Sequence, residues 1–265
     1  MSELPRHVVE NRRHWDANAD RWVAAGERAW AQATPTWGIW GIANDELPLL
    51  PDALDGLRAI ELGCGTGYVS AWMQRRGAEV YALDNSSEQL ATAQRLADIY
   101  EVEMIEWVHG DAEAVDQPDE TFDFAISEYG AAIWCEPTRW LAEAHRILRP
   151  GGRLVFLGHH PLAMLCAPQG GDGNIGTSLE RSYFELGELD WTEAVEDPGG
   201  IEFNLPISEW MSRFRSIGFD IVDYREVQAP NSANGTKFWI PADWSKRYPS
   251  EQVWWLQKQP ADTAQ

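Results

Sequence analysis

Ala59-Ile60-Glu61-Leu62-Gly63-Cys64-Gly65-Thr66-Gly67-Tyr68 reads as a strand running into three glycines and then into a helix. Such a turn brings backbone close to a ligand, because a Cβ at those positions would meet the ligand or resist a positive φ. The spacing discriminates among ligands. A dinucleotide fingerprint needs G-x-G-x-x-G, but the sixth position is Tyr68 counting from Gly63 and Ser70 counting from Gly65. No G-K-[ST] follows, so the loop is not a P-loop. Glu61 precedes the first glycine by two residues, and no Lys or Arg occurs from Ala59 to Gln74. An acidic loop of this kind suits a ligand that carries positive charge.

Outward from the loop, strands and helices alternate. Arg58 to Leu62 is predicted as a strand, Tyr68 to Arg76 as a helix, Glu79 to Leu83 as a strand, Ser86 to Tyr100 as a helix and Glu103 to Val108 as a strand. Phe122 to Ser127 is a fourth strand. Thr138 to Leu148 is a helix ended by Pro150-Gly151-Gly152, and Arg153 to Gly158 is a fifth strand. This rhythm implies a parallel sheet with helices on both faces. Ahead of it, Arg6 to Trp30 is expected to form one helix, with Trp15, Ala19 and Trp22 on a buried face. Pro35, Gly38, Gly41, Pro48 and Pro51 make 33–56 a loop, with a short helix expected near Asn44 to Leu50.

Residues 159–205 interrupt the alternation, with nine acidic residues against the single basic Arg181 and with the clusters PQGGDGNIG and EDPGG. Tyr183, Phe184, Trp191 and Phe203 give this segment apolar side chains to dock, so it is read as an inserted cap. The sheet pattern resumes with Pro206 at the first helical position, helix to Ser216, Gly218 as a stop, a strand Phe219 to Glu226 and a last strand Gln252 to Lys258. The expected organisation is one domain: an N-terminal helix and pocket-closing loop (1–56), a ligand-binding core (57–158), the cap (159–205) and the C-terminal part of the sheet (206–265).

The chain has 265 residues, 44% of them hydrophobic, which is enough for one large α/β domain. Lys and Arg number 21 against 42 Asp and Glu, giving a net charge of −21 that would repel a nucleic-acid backbone. Cys64, Cys135 and Cys166 are odd in number and form no C-x-x-C pair, which argues against a disulfide framework or a zinc ribbon. No metal site is expected. The polar start and the lack of any span-length apolar run predict a soluble, cytoplasmic protein. Fifteen tryptophans, five within the first 40 residues, must build core or line a pocket.

Glu61-x-Gly63-x-Gly65-x-Gly67 resembles the first motif of the class I S-adenosylmethionine-dependent methyltransferases, in the small-molecule branch that includes the ubiquinone and menaquinone enzymes. The cofactor's ammonium and sulfonium then account for the acidic residue. The resemblance continues through Asp84, 19 residues after Gly65, where a carboxylate would accept both ribose hydroxyls, with Asn85 beside it. Gly110-Asp111-Ala112-Glu113 matches the adenine-binding motif, and Ser127-Glu128 ends the fourth strand facing the methionyl part. Leu148-Arg149-Pro150-Gly151-Gly152 completes the pattern. The implied fold is a Rossmann-like, mostly parallel seven-stranded sheet of order 3-2-1-4-5-7-6 with the seventh strand antiparallel. The implied cofactor residues are Glu61, Gly63, Cys64, Gly65, Thr66, Gly67, Asp84, Asn85, Asp111, Ala112, Glu113, Ser127 and Glu128.

Ser127-Glu128-Tyr129-Gly130 replaces the [DNS]-P-P-[YF] of base amino-methyltransferases, and Cys135 lies between Trp134 and Glu136 rather than after a proline, so base methylation is not expected. Methyl transfer is an in-line displacement that depends mainly on geometry, with a base needed only for a protonated nucleophile. His159 and His160, at the end of the fifth strand, are the candidates for that base. Tyr129 and Trp134, Trp37 and Trp40 of TWGIWG, and Tyr183 of the cap are expected around the substrate. Trp15 and Trp22 could close the pocket from the N-terminal side as well, with plain helix packing the equal alternative for them, so Trp37 and Trp40 are the preferred pocket rings. The rings favour an apolar or aromatic acceptor, and the acidic cap a neutral or cationic one. The alternatives are a nicotinamide oxidoreductase, disfavoured by the failed fingerprint, and a non-catalytic cofactor-binding partner protein.

Overall fold

The computed structural model describes residues 4–194 and 199–260. Parts of the N-terminal, cap (within EDPGG) and C-terminal segments expected above therefore lie outside the described residues. The N-terminal segment forms two helices, α1 (Arg6–Asn18) and α2 (Asp20–Trp30), rather than one. At the break the Asn18 side-chain amide folds back onto the His14 carbonyl at 2.8 Å. This is the local competition with backbone bonding that makes Asn a poor helix-interior residue.

The alternating core then runs β1 (Arg58–Leu62), α3 (Tyr68–Gln74), β2 (Glu79–Asp84), α4 (Ser87–Ile99), β3 (Ile105–His109) and β4 (Phe122–Glu128). It continues through α5 (Ala131–Trp134), α6 (Pro137–Ile147), β5 (Leu148–His159) and α7 (Pro161–Cys166) to α8 (Ile207–Ile217), β6 (Phe219–Val227), α9 (Ala242–Ser245) and β7 (Glu251–Lys258). Ser86 caps α4 by accepting from the Gln89 N–H at 3.2 Å. Pro137 opens α6, and Gly218 stops α8 at φ 105°. Two local expectations fail. Pro150-Gly151-Gly152 lies inside β5 instead of ending the helix, and Asn44 to Leu50 forms turns, in which the Asn44 carboxamide binds Leu50 N–H and Trp37 Nε1.

The seven strands are ordered β3-β2-β1-β4-β5-β7-β6. β1 is parallel to β2 and β4, and β7 is antiparallel to both β5 and β6. Order and polarity are those implied by the resemblance. Because side chains alternate across a strand, Leu154, Phe156 and Trp254 pack against α6 and α8, while Val155, Leu157 and Val253 pack with Trp37, Leu50 and Val69 on the other face. Both faces are buried, as a sheet covered by helices on both sides requires. The carboxyl ends of β1, β2, β3, β4 and β5 therefore deliver Gly63, Asp84, Gly110, Glu128 and His159 to one edge.

Two excursions rise over that edge. One, between β5 and α8, carries α7 and a short hairpin pairing Glu188–Asp190 with Ile201–Phe203. The other, between β6 and β7, pairs Thr236–Lys237 with Ile240–Pro241. They are tied together by Trp244 Nε1 to the Gly176 carbonyl at 2.6 Å and by Ile175 N–H to the Trp239 carbonyl at 3.0 Å. No helix among the described residues is long and apolar enough to cross a membrane.

Candidate functional site

Under the excursions, at the carboxyl edge, lies a cavity of about 700 Å³. That is within the range of small-molecule sites, which favour this edge in open α/β sheets. One half is built by the glycine loop. The N–H groups of Gly63 and Cys64 both donate to the Leu83 carbonyl at 2.9 Å, which docks the loop on the end of β2. Asp84 then accepts from Gly65 N–H at 2.6 Å through one carboxylate oxygen and from Ser86 N–H at 2.8 Å through the other. At Gly65, with φ 52°, a Cβ would meet nothing within 4 Å, so the loop leaves an open cradle there.

Gly63, Cys64, Gly65, Thr66, Asp84, Asn85, Asp111 and Ala112 line this half, with Glu61 and Glu128 beneath them. Glu61 accepts from Ser70 N–H at 2.7 Å and from the Ser70 hydroxyl at 2.5 Å, and burial pushes its carboxyl well above the ordinary range. Glu128 accepts from Gly38 N–H at 2.9 Å and from the Tyr68 hydroxyl. Burial likewise raises Asp84, Asp111 and Glu128. Among the described residues, no Lys or Arg lines the cavity. Four acidic side chains held by neutral donors make a cradle for a cationic ligand.

The other half is aromatic. Trp134 lies 5.2 Å from Trp15, Trp15 5.6 Å from Trp22, and Trp22 stacks on Phe238 at 5.8 Å. Tyr129 follows β4 at φ 55°, an uncommon conformation for a non-glycine residue. Its ring meets His159 at 4.9 Å, and Trp239 meets His159 at 5.3 Å. The His159 ring is buried and its Nδ1 has no hydrogen-bond partner. Burial lowers its pKa to about 4, so the imidazole is neutral at physiological pH. Glu202, from the cap hairpin, completes this wall, and burial pushes its pKa up to about 7.

Seven residues expected at the site are elsewhere engaged, for identifiable reasons. Gly67 starts α3 where a Cβ would strike Trp107 at 2.6 Å, so it serves helix packing. Glu113 turns to His7 at 2.5 Å and to Glu136 N–H at 2.7 Å. Ser127 donates to the Leu62 carbonyl at 2.8 Å and accepts from Ala132 N–H. His160 caps α7 through Leu162 N–H and faces Glu226 at 3.1 Å. Trp37 is fully buried against Trp72. Trp40 donates to the Ser250 hydroxyl at 2.9 Å, and the Tyr183 hydroxyl accepts from Ile207 N–H at 3.1 Å. None of the seven lines the cavity. The tryptophans are thus inverted: Trp15 and Trp22 face the cavity, whereas TWGIWG contributes Gly38 and Ile39 rather than its rings. Glu202, Phe238 and Trp239 were missed. The only sequence signal for the last two is an aromatic pair following Gly235 in a polar loop.

Behind Tyr129 lies a further buried carboxyl group. Glu251 accepts from the Tyr129 hydroxyl at 2.7 Å and from Ile39 N–H at 2.9 Å, while its Oε2 has no partner. Burial raises its pKa from the ordinary 4.5 to about 7. A raised carboxyl gives stability that is whole below about 4.5 and is lost as pH climbs through about 7, because only the unfolded chain ionises in between. Glu251→Gln is therefore expected to raise the melting temperature by several degrees at pH 8 and to leave it nearly unchanged at pH 5. Equal shifts at both pH values in a thermal melt series would show that Glu251 carries no ionisation cost.

A family model described as "Methyltransferase domain" matches residues 60–156. Malonyl-[acyl-carrier protein] O-methyltransferase of Pectobacterium atrosepticum is 40% identical over 117 residues, 43% of this chain and 43% of that protein. Ubiquinone biosynthesis O-methyltransferase of Ruegeria pomeroyi is 35% identical over 142 residues, covering 53% of this chain and 54% of that one. The matches thus span about half of those relatives' length. Among solved structures, an S-adenosylmethionine-dependent methyltransferase from Mesorhizobium loti superposes with a TM-score of 0.66 at 23% identity, covering 83% of this chain and 100% of that one. It shares the fold.

Proposed function

We propose that this chain, which through residues 60–156 belongs to the class I S-adenosylmethionine-dependent methyltransferases, moves a methyl group from that cofactor to a nucleophile of a small organic molecule. One observation carries the reading: a single cavity joins the glycine loop and its carboxylates to a wall of aromatic rings. Cofactor and acceptor would share one dry space.

The donor set fits this cofactor. Gly65 leaves a cradle that a Cβ would fill, and the lining carboxylates have no Lys or Arg among them, which suits a ligand bearing an ammonium and a sulfonium. Asp84 and Asn85 would hold the ribose, Asp111 and Ala112 the adenine, and Glu61, Glu128 and the glycine-loop backbone the methionyl part. When bound, the cofactor supplies an electrophilic methyl. The chain's own contribution is then mostly geometric, since orientation alone can remove much of the barrier to an in-line displacement. Trp15, Trp134 and Tyr129 exclude water and restrict the acceptor. His159, neutral because of its burial, lines the cavity beside Tyr129. Of His159 and His160, His159 is the one that lines the cavity.

Calorimetric titration with S-adenosylhomocysteine, with NADH as the control, tests the cofactor assignment. Micromolar binding of the first and none of the second is expected. Binding of NADH alone, or of neither to a ligand-free folded sample, would overturn it.

A further inference from the structure

We propose that the aromatic half of the cavity takes an amine acceptor as its cation, held between the Glu202 carboxylate and the rings of Trp15, Trp22, Trp134 and Phe238, and that the ammonium passes one proton to Glu202 before the freed nitrogen acts as the nucleophile. This rests on the methyl-transfer reading and names the class of its substrate. Of the groups named, Trp134 lies within the matched residues 60–156, while Trp15, Trp22, Glu202 and Phe238 lie outside them.

The first argument is charge. Glu61, Asp84, Asp111 and Glu128 all lie in the cofactor half, whereas Glu202 belongs to the opposite wall. Among the described residues it accepts from Trp191 Nε1 at 3.3 Å, a single donor for a group that can take several. The guanidinium that influences it, Arg181, is engaged by the Met164 and Ala167 carbonyls and lies over the Trp191 ring at 5.5 Å. An acceptor carboxylate or phosphate would enter this space with no Lys or Arg among the described lining residues and with like charge beside it, a combination that buried sites reject.

The second argument is placement. The Asn11 side chain donates to the Trp134 carbonyl at 2.8 Å and to the Ile201 carbonyl at 2.9 Å, and accepts from Ile201 N–H at 2.6 Å. That one carboxamide binds the strand bearing Glu202 to the helix bearing Trp15 and to the end of α5, which bears Trp134. A Cβ on Gly200 would come within 3.2 Å of the Trp134 ring, so carboxylate and rings share one corner. Glu202 also bears on the Tyr129 hydroxyl, whose ring contacts His159. Rings faced by a carboxylate recognise ammonium groups through cation–π attraction as well as charge.

The test is calorimetry on the full chain at pH 8, with and without saturating S-adenosylhomocysteine, using tryptamine and indole-3-acetate as probes of equal ring and opposite charge. Tryptamine is expected to bind at least tenfold more tightly. Glu202→Gln is expected to reduce that preference to threefold or less while leaving S-adenosylhomocysteine affinity unchanged. Should Glu202→Gln fail to fold by circular dichroism, Phe238→Ala, at the exposed mouth, is expected to weaken tryptamine at least threefold. Equal or tighter binding of indole-3-acetate, no binding of tryptamine at millimolar concentration, or no loss in the folded variants overturns the proposal. Failure of S-adenosylhomocysteine to bind instead removes the methyl-transfer reading, so the two failures are distinguishable.

Discussion

Gly63→Ala is expected to destabilise the fold by about 2–5 kcal/mol, combining left-handed strain with overpacking. The residue sits at φ 82°, and an added Cβ would lie 2.6 Å from Gly130 Cα and 2.8 Å from Ala131 N. Both obstacles are backbone, so no side chain can rotate away. The same squeeze acts in reverse, for a Cβ on Gly130 would lie 2.4 Å from the carbonyl oxygens of Leu62 and Gly63. The loops after β1 and β4 thus touch through two glycines. Gly65→Ala makes the contrast: with φ 52° and open space around it, it should keep its fold at a cost of about 1–2 kcal/mol of strain. Its methyl would instead fill the cradle, raising the S-adenosylhomocysteine dissociation constant tenfold or more. Urea denaturation and calorimetry on both variants check this. A Gly65→Ala protein that binds normally would mean that the cradle does not face the cofactor.

Those two glycines also mark what the sequence makes legible. Spacing alone separates the loop from dinucleotide and phosphate loops, because strand, turn and helix are local and their residues adjacent. The alternation of buried faces likewise follows from period, and the strand order follows from the resemblance. What does not follow is where a ring goes once its helix or loop has docked. Trp37 and Trp40 sit in a glycine-rich loop that looks unable to build core, yet Asn44 folds that loop onto itself and buries Trp37 against Trp72. Trp15 and Trp22 have helical spacing suited to packing, but α1 and α2 cross the open edge of the sheet, and their face covers a cavity instead. Glu202 and Trp239 reach the site from separate excursions, 43 and 80 residues beyond His159, a meeting no local pattern encodes. Ser127 and Glu113 illustrate the opposite error: motif positions at the edge turn inward wherever a nearby unpaired backbone group or histidine claims them.

Asp84→Asn is expected to raise the S-adenosylhomocysteine dissociation constant by about ten- to a hundredfold, since charge-assisted hydrogen bonds contribute about 1.5–3 kcal/mol. Two effects act together. The carboxylate that would accept the ribose hydroxyls loses its charge, and the amide introduces a donor where the protein already presents two. Gly65 N–H and Ser86 N–H each point at a separate Asp84 oxygen, so whichever way the Asn side chain turns, one N–H faces an NH2 group. The glycine loop should then loosen at Gly65 even before ligand is added. Hydrogen exchange at the Gly65 amide reads the loosening, and calorimetry reads the affinity. Faster exchange with unchanged affinity would make Asp84 a strut of the loop alone and would sink its assignment to the ribose. Loss of both together is the expected result, because the same two oxygens shape the loop and face the cavity.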